Sequence, residues 1–115
     1  MKQTMTTITK DRKLITFINV FTVDPEKQQQ LVDLLTKATE SSVRHVPGFI
    51  SASLHRSLDG AKVAMYAQWR SIEDYQAMRA NVATMPYMQQ AVAIAKFDPG
   101  MYEVVETFEP LPKGA

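Results

Sequence analysis

The ten-residue stretch Leu14–Val23, LITFINVFTV, constrains this chain more than any other segment. Its β-branched and aromatic residues make it a strand, and apolar side chains stand at both parities, so both of its faces call for cover. The odd positions Ile15, Phe17, Asn19, Phe21 and Val23 share one face, on which Asn19 is the one strongly polar member. Asp24-Pro25-Glu26 then ends the strand and opens a helix, with Asp as N-cap, Pro at the first position and Glu in the first turn.

The rest of the chain supplies that cover. Leu31, Leu34, Leu35, Ala38 and Ser42 recur at three- and four-residue steps, predicting a helix to about His45, and Pro47-Gly48 stops it. Phe49–Arg56 and Lys62–Arg70 read as strands joined by a hairpin turn at Asp59-Gly60. Ser71-Ile72-Glu73-Asp74 caps a second helix stepping through Ile72, Tyr75 and Met78 to about Asn81. A third, from Tyr87 to about Lys96, presents Met88, Ala91, Val92 and Ala95 as its buried stripe. Asp98-Pro99-Gly100 breaks it, and alternation over Met101–Phe108 predicts a last strand. The order is βαββαβ, the split pattern of the ferredoxin-like α+β class with an antiparallel sheet. Residues 1–13 read as a flexible leader, 14–108 as the domain and 109–115 as an irregular tail. With helices on one face, the other apolar sheet face needs a partner, and a symmetric dimer, a dimeric α+β barrel, is the economical solution.

Composition narrows function. A chain of 115 residues makes one domain. Thirteen Lys and Arg against twelve Asp and Glu leave +1, too balanced for a nucleic-acid grip. Zero cysteines remove disulfides, thiolate nucleophiles and cysteine-ligated metals, and His45 and His55 alone cannot build a histidine-rich metal site. No apolar run approaches the ~20 residues that span a bilayer, and the leader lacks the apolar centre of a signal peptide, so a cytoplasmic protein is expected. No glycine loop for phosphates and no nucleophile elbow is present.

The candidate chemistry gathers on the third strand. Val63, Met65, Ala67 and Trp69 point one way and Ala64, Tyr66, Gln68 and Arg70 the other. Trp69, the single tryptophan, is either the floor of a pocket with a free indole N–H or an ordinary core residue. Tyr75, six residues on, reaches the same space or simply packs its helix. Asn19 is a pocket amide or a strand amide bonded to backbone. His55 reads as solvated or dimer-facing, and His45 needs only the helix dipole. Met78, Met85 and Met88 supply adaptable apolar lining or core filler.

The segments VPGFISASLHRSLDG and AMYAQW, followed by a capped helix carrying Tyr75, resemble the antibiotic biosynthesis monooxygenase family over about Leu14 to Thr107. The resemblance implies a homodimer of ferredoxin-like protomers, each with a pocket between sheet and helices. It also implies oxygenation of quinols or polycyclic phenols by molecular oxygen with no metal or flavin cofactor. Trp69 matches the family's pocket tryptophan and Tyr75 its helix tyrosine. The asparagine that the polyketide oxygenases carry four residues before that tryptophan is Met65 here. A second-strand tyrosine is Leu54, and an arginine on the later helix is Gln89. Asn19 is placed to supply the missing amide from the first strand. The resemblance thus assigns Trp69 and Asn19 to catalysis, and Tyr75, Leu54, Met65 and Gln89 to the walls around a small aromatic substrate. The heme-degrading branch needs a histidine on the later helix, and none follows His55. A catalytically silent dimeric module binding a planar ligand is the alternative on the same fold.

Overall fold

A computed structural model describes residues 6–112 and 114. Strand β1 spans Ile15–Val23 and β2 Phe49–Arg56, β3 Lys62–Trp69, β4 Ala95–Lys96 and β5 Pro99–Tyr102; helices α1, α2 and α3 span Gln28–Ser41, Ile72–Arg79 and Met85–Ile94. Short 3-10 turns at Pro25–Lys27 and Val43–His45 flank α1. The sheet is antiparallel in the order β2-β3-β1-β4, with β5 also on β1, which is the expected ferredoxin-like arrangement, open rather than closed into a barrel.

The last strand departs from expectation. It is two short pieces lying end to end along β1: β4 pairs Thr22 and Val23, and β5 pairs Thr16 to Asn19. Tyr102 faces Thr16, and β1 begins at Ile15, so the chain beyond Tyr102 has no strand left to follow. Residues 103–112 therefore form no ladder, and Val105 and Phe108, whose alternation predicted a strand, stand exposed. Val92 is likewise exposed rather than buried, whereas Ala91 beside it is fully buried.

The odd face of β1 lies under the helices, as its pattern required. Phe21, Val23, Leu31, Leu35, Val63 and Ala91 make one core cluster between the sheet and α1 and α3. Phe17, Ala67, Trp69, Tyr75 and Met78 make a second beneath α2, and Met65 packs against both. On the opposite face the leader is fastened near one end of the sheet. Gln68 Nε2 donates to the Thr7 carbonyl at 2.8 Å, and the Thr6 and Ser53 hydroxyls lie 3.1 Å apart. Residues 1–5 of that leader lie outside the described part.

The start of α2 is anchored strongly. Asp74 N–H donates to Ser71 Oγ at 3.1 Å, and Ser71 Oγ donates back to the Asp74 carboxylate at 2.9 Å. Arg70 grips the same carboxylate through two bonds of 2.8 and 3.0 Å. Gly48, at φ +87°, passes so close that a Cβ there would collide with the Asp74 side chain. These contacts tie the end of β3 to α2 and so fix Tyr75 relative to Trp69.

Candidate active site

A cavity opens along the seam between the two core clusters. Its sheet wall is Phe17, Asn19 and Phe21 from β1, Met65, Ala67 and Trp69 from β3, and Phe49 and Ala52 from β2. The helix wall includes Leu35 and Ala38 of α1, Val43 of the 3-10 turn that follows it, Tyr75, Met78 and Arg79 of α2, Thr84 just before α3, and Met88 of α3. The atom-free space, counted out through the mouth, is about 620 Å³. Its apolar walls carry few polar groups, which is the ordinary make-up of a small-molecule site.

Trp69 is fully buried, held edge-on between Phe49 and Tyr75 at ring-centroid distances of 5.5 and 5.9 Å. Its Nε1–H is the only buried side-chain polar atom among the described residues without a hydrogen-bond partner. Burying an indole stabilises by about 4–6 kcal/mol, whereas an unpaired buried donor costs about 1–3. The fold therefore tolerates the orphan, and the orphan is available to a ligand. Asn19 is 3% exposed, and its Oδ1 accepts from the Asp98 backbone N–H at 3.0 Å. Its carbonyl is thereby spoken for, which fixes the amide flip and leaves an NH₂ donor as its free function. Met65 faces Asn19 directly across the β1–β3 ladder, so this level of the cavity carries one amide.

Tyr75 is buried and stacks at 4.7 Å on Phe17, with its hydroxyl accepting from Arg79 Nη1 at 3.0 Å. Thr84 and Ser42 share a buried hydroxyl–hydroxyl bond of 2.7 Å that joins the end of α1 to the start of α3. Of the six residues singled out from sequence, the cavity brings together Asn19, Met65, Trp69 and Tyr75. Leu54 packs against the first core cluster outside the lining and borders two shallower surface hollows, and Gln89 is exposed on α3 away from the lining. Arg79 and Thr84 were not anticipated. Arg79 was legible as the residue one turn after Tyr75 on the same helix face. Thr84 precedes α3 without capping it through its side chain, because its hydroxyl is bonded to Ser42.

Both histidines take their plainer readings: His55 is exposed on β2, and His45 Nε2 bonds the Glu40 carbonyl at 2.8 Å. No helix among the described residues is long and apolar enough to cross a membrane.

Residues 14–94 match the antibiotic biosynthesis monooxygenase family. Tetracenomycin-F1 monooxygenase of Streptomyces glaucescens is 43% identical over 104 residues, covering 90% of this chain and 93% of that protein. The structure of the ActVA-Orf6 monooxygenase of Streptomyces coelicolor, solved with Nanaomycin D, superposes with a TM-score of 0.74 at 28% identity, covering 84% and 91% of the two chains. A point mutant of SnoaB of Streptomyces nogalater, a cofactor-independent oxygenase, is similar in fold, with a TM-score of 0.73 at 21% identity over 89% of this chain and 100% of that one.

Proposed function

The chain belongs to the antibiotic biosynthesis monooxygenase family, and from that premise we propose that it is a cofactor-independent monooxygenase oxidising a quinol or polycyclic phenol with molecular oxygen. The observation that carries this reading is the buried, unpartnered Trp69 Nε1–H in an otherwise apolar cavity. Electron-rich phenols react with oxygen most readily as their anions. The work left to a protein is to exclude water, orient a flat ring and aim neutral donors at the ring oxygen as charge develops on it. Trp69 Nε1–H and the Asn19 NH₂ are those donors, and Phe17, Phe49 and Tyr75 are the flat surfaces that orient the ring. In an anthrone the chemistry converts a ring CH₂ to C=O. The substrate supplies four electrons, one oxygen atom stays on carbon, and the other leaves with the two hydrogens as water.

The protein works as a homodimer in this proposal. What supports it is a set of exposed apolar side chains, Val92, Val105, Phe108 and Leu111, the last three close together on the segment after β5.

Oxygen uptake by metal-free protein, given a panel of hydroquinones and anthrones, tests the activity. Uptake above the spontaneous rate is expected, falling about a hundredfold in Trp69→Phe, the scale of losing one donor to a developing oxyanion. No uptake, with Trp69 fluorescence still quenched by the same compounds, would replace the enzyme by a planar-ligand binding module.

A further inference from the structure

Arg79 is the one charged side chain in the cavity lining and the one exposed residue among those that line it. One of its N–H groups is given to the Tyr75 hydroxyl at 3.0 Å. A guanidinium carries five N–H donors, and among the described residues no carboxylate pairs with Arg79 and no other acceptor meets it. A cation at the rim of an apolar cavity, with most of its fork unused and one edge pinned, is a preformed receptor for a planar anion.

We propose that Arg79 binds a carboxylate carried on the edge of the aromatic substrate, so that this enzyme selects acidic polycyclic phenols. The proposal rests on the monooxygenase reading for its substrate class. The division of donors supports it. Trp69 and Asn19 are neutral single donors deep in the cavity, suited to a ring oxygen whose charge appears only during reaction. Arg79 is a permanent charge at the mouth, where a permanently ionised group can remain partly hydrated and need not be stripped of water. The two sites are separated by the Tyr75 side chain, whose ring packs against the Trp69 indole and whose hydroxyl touches Arg79. A flat fused-ring molecule with one edge at the indole thus carries its far edge to the guanidinium. Tyr75 becomes a positioning residue: by accepting from Arg79 it holds the fork toward the cavity and keeps its own O–H proton free to donate.

The test is a pair of ligands, an anthrone carboxylic acid and its methyl ester, titrated against Trp69 fluorescence near neutral pH. Wild-type protein is expected to bind the acid about tenfold more tightly than the ester, the lower end for a hydrogen bond to a charged group because the rim is solvated. Arg79→Met, which keeps the length of the aliphatic stem on an exposed helix end, is expected to erase that preference by weakening the acid about tenfold more than the ester. Arg79→Lys is expected to retain a smaller part of it. An equal loss for acid and ester in Arg79→Met would make Arg79 a wall of the cavity and overturn the proposal. So would a wild type that shows no preference or binds neither compound. An acid preference that depends on Arg79 in a protein that consumes no oxygen would leave this inference standing and remove the enzymatic one.

Discussion

Asn19 shows how one residue serves both the sheet and the site. Its Oδ1 holds the Asp98 N–H where the β1 edge passes from β4 to β5, and its NH₂ is left for the cavity. Asn19→Ala is therefore expected to cost about 1–3 kcal/mol in chemical denaturation, to speed amide exchange at Asp98, and to slow turnover. Trp69→Phe is expected to slow turnover with no change at Asp98. If the Asp98 amide is equally protected in Asn19→Ala, the side-chain bond contributes nothing and Asn19 is a cavity residue alone. The polar character of this position was legible as the odd member of an apolar stripe. Its partner was not, because Asp98 lies 79 residues away and only the broken strand brings it near. Arg79 was passed over for the opposite reason. An arginine at a helix end is ordinary, and only its place one turn after Tyr75 marks it in the sequence.

Elements were read more securely than residues, wherever local chemistry decides. The strand Phe49–Arg56, the Asp59-Gly60 hairpin and the Ser71 cap all stand as the sequence implied, since each rests on turn or capping groups within a few residues. The last strand failed because alternation says nothing about whether a partner edge remains. Two predictions belong at this scale. The Ser42–Thr84 bond joins α1 to α3, so Thr84→Val strands a buried hydroxyl and is expected to cost about 1–3 kcal/mol, with Ser42→Ala in the same chain recovering part of it. Additive losses in a thermal or denaturant series would mean the two hydroxyls do not depend on each other. At the start of α2, the Arg70 guanidinium and the Ser71 hydroxyl hold the Asp74 carboxyl below the ordinary carboxylate range. A carboxyl depressed in the folded state stabilises fully above its unfolded pKa and loses that contribution as pH falls through its folded one. Asp74→Asn is thus expected to flatten the acid limb of the stability curve below about pH 4, leaving the remaining carboxylates to define it. An unchanged limb would show that solvent screens the clamp completely.

At the scale of the whole molecule, the features that remain unpaired point outward. Val105, Phe108 and Leu111 follow β5 without a strand to join, and the one ion pair their segment makes among the described residues is the exposed Lys10–Glu106 pair at 3.0 Å, which is weak. On the dimeric assembly proposed above, a chain ending at Tyr102 keeps all of β5 and is expected to sediment as a monomer. A dimer that survives the truncation would assign the contact to the sheet face instead. The seam between the two core clusters has a consequence for how this scaffold can change its diet. Its floor is cut into the ladder itself, where altering Asn19 disturbs a joint between strands. Val43, Arg79 and Met88 hang from turns and helices that can shift without unzipping anything. Selection for a new compound, in nature or in a laboratory library, should therefore leave its mark on the roof and spare the floor.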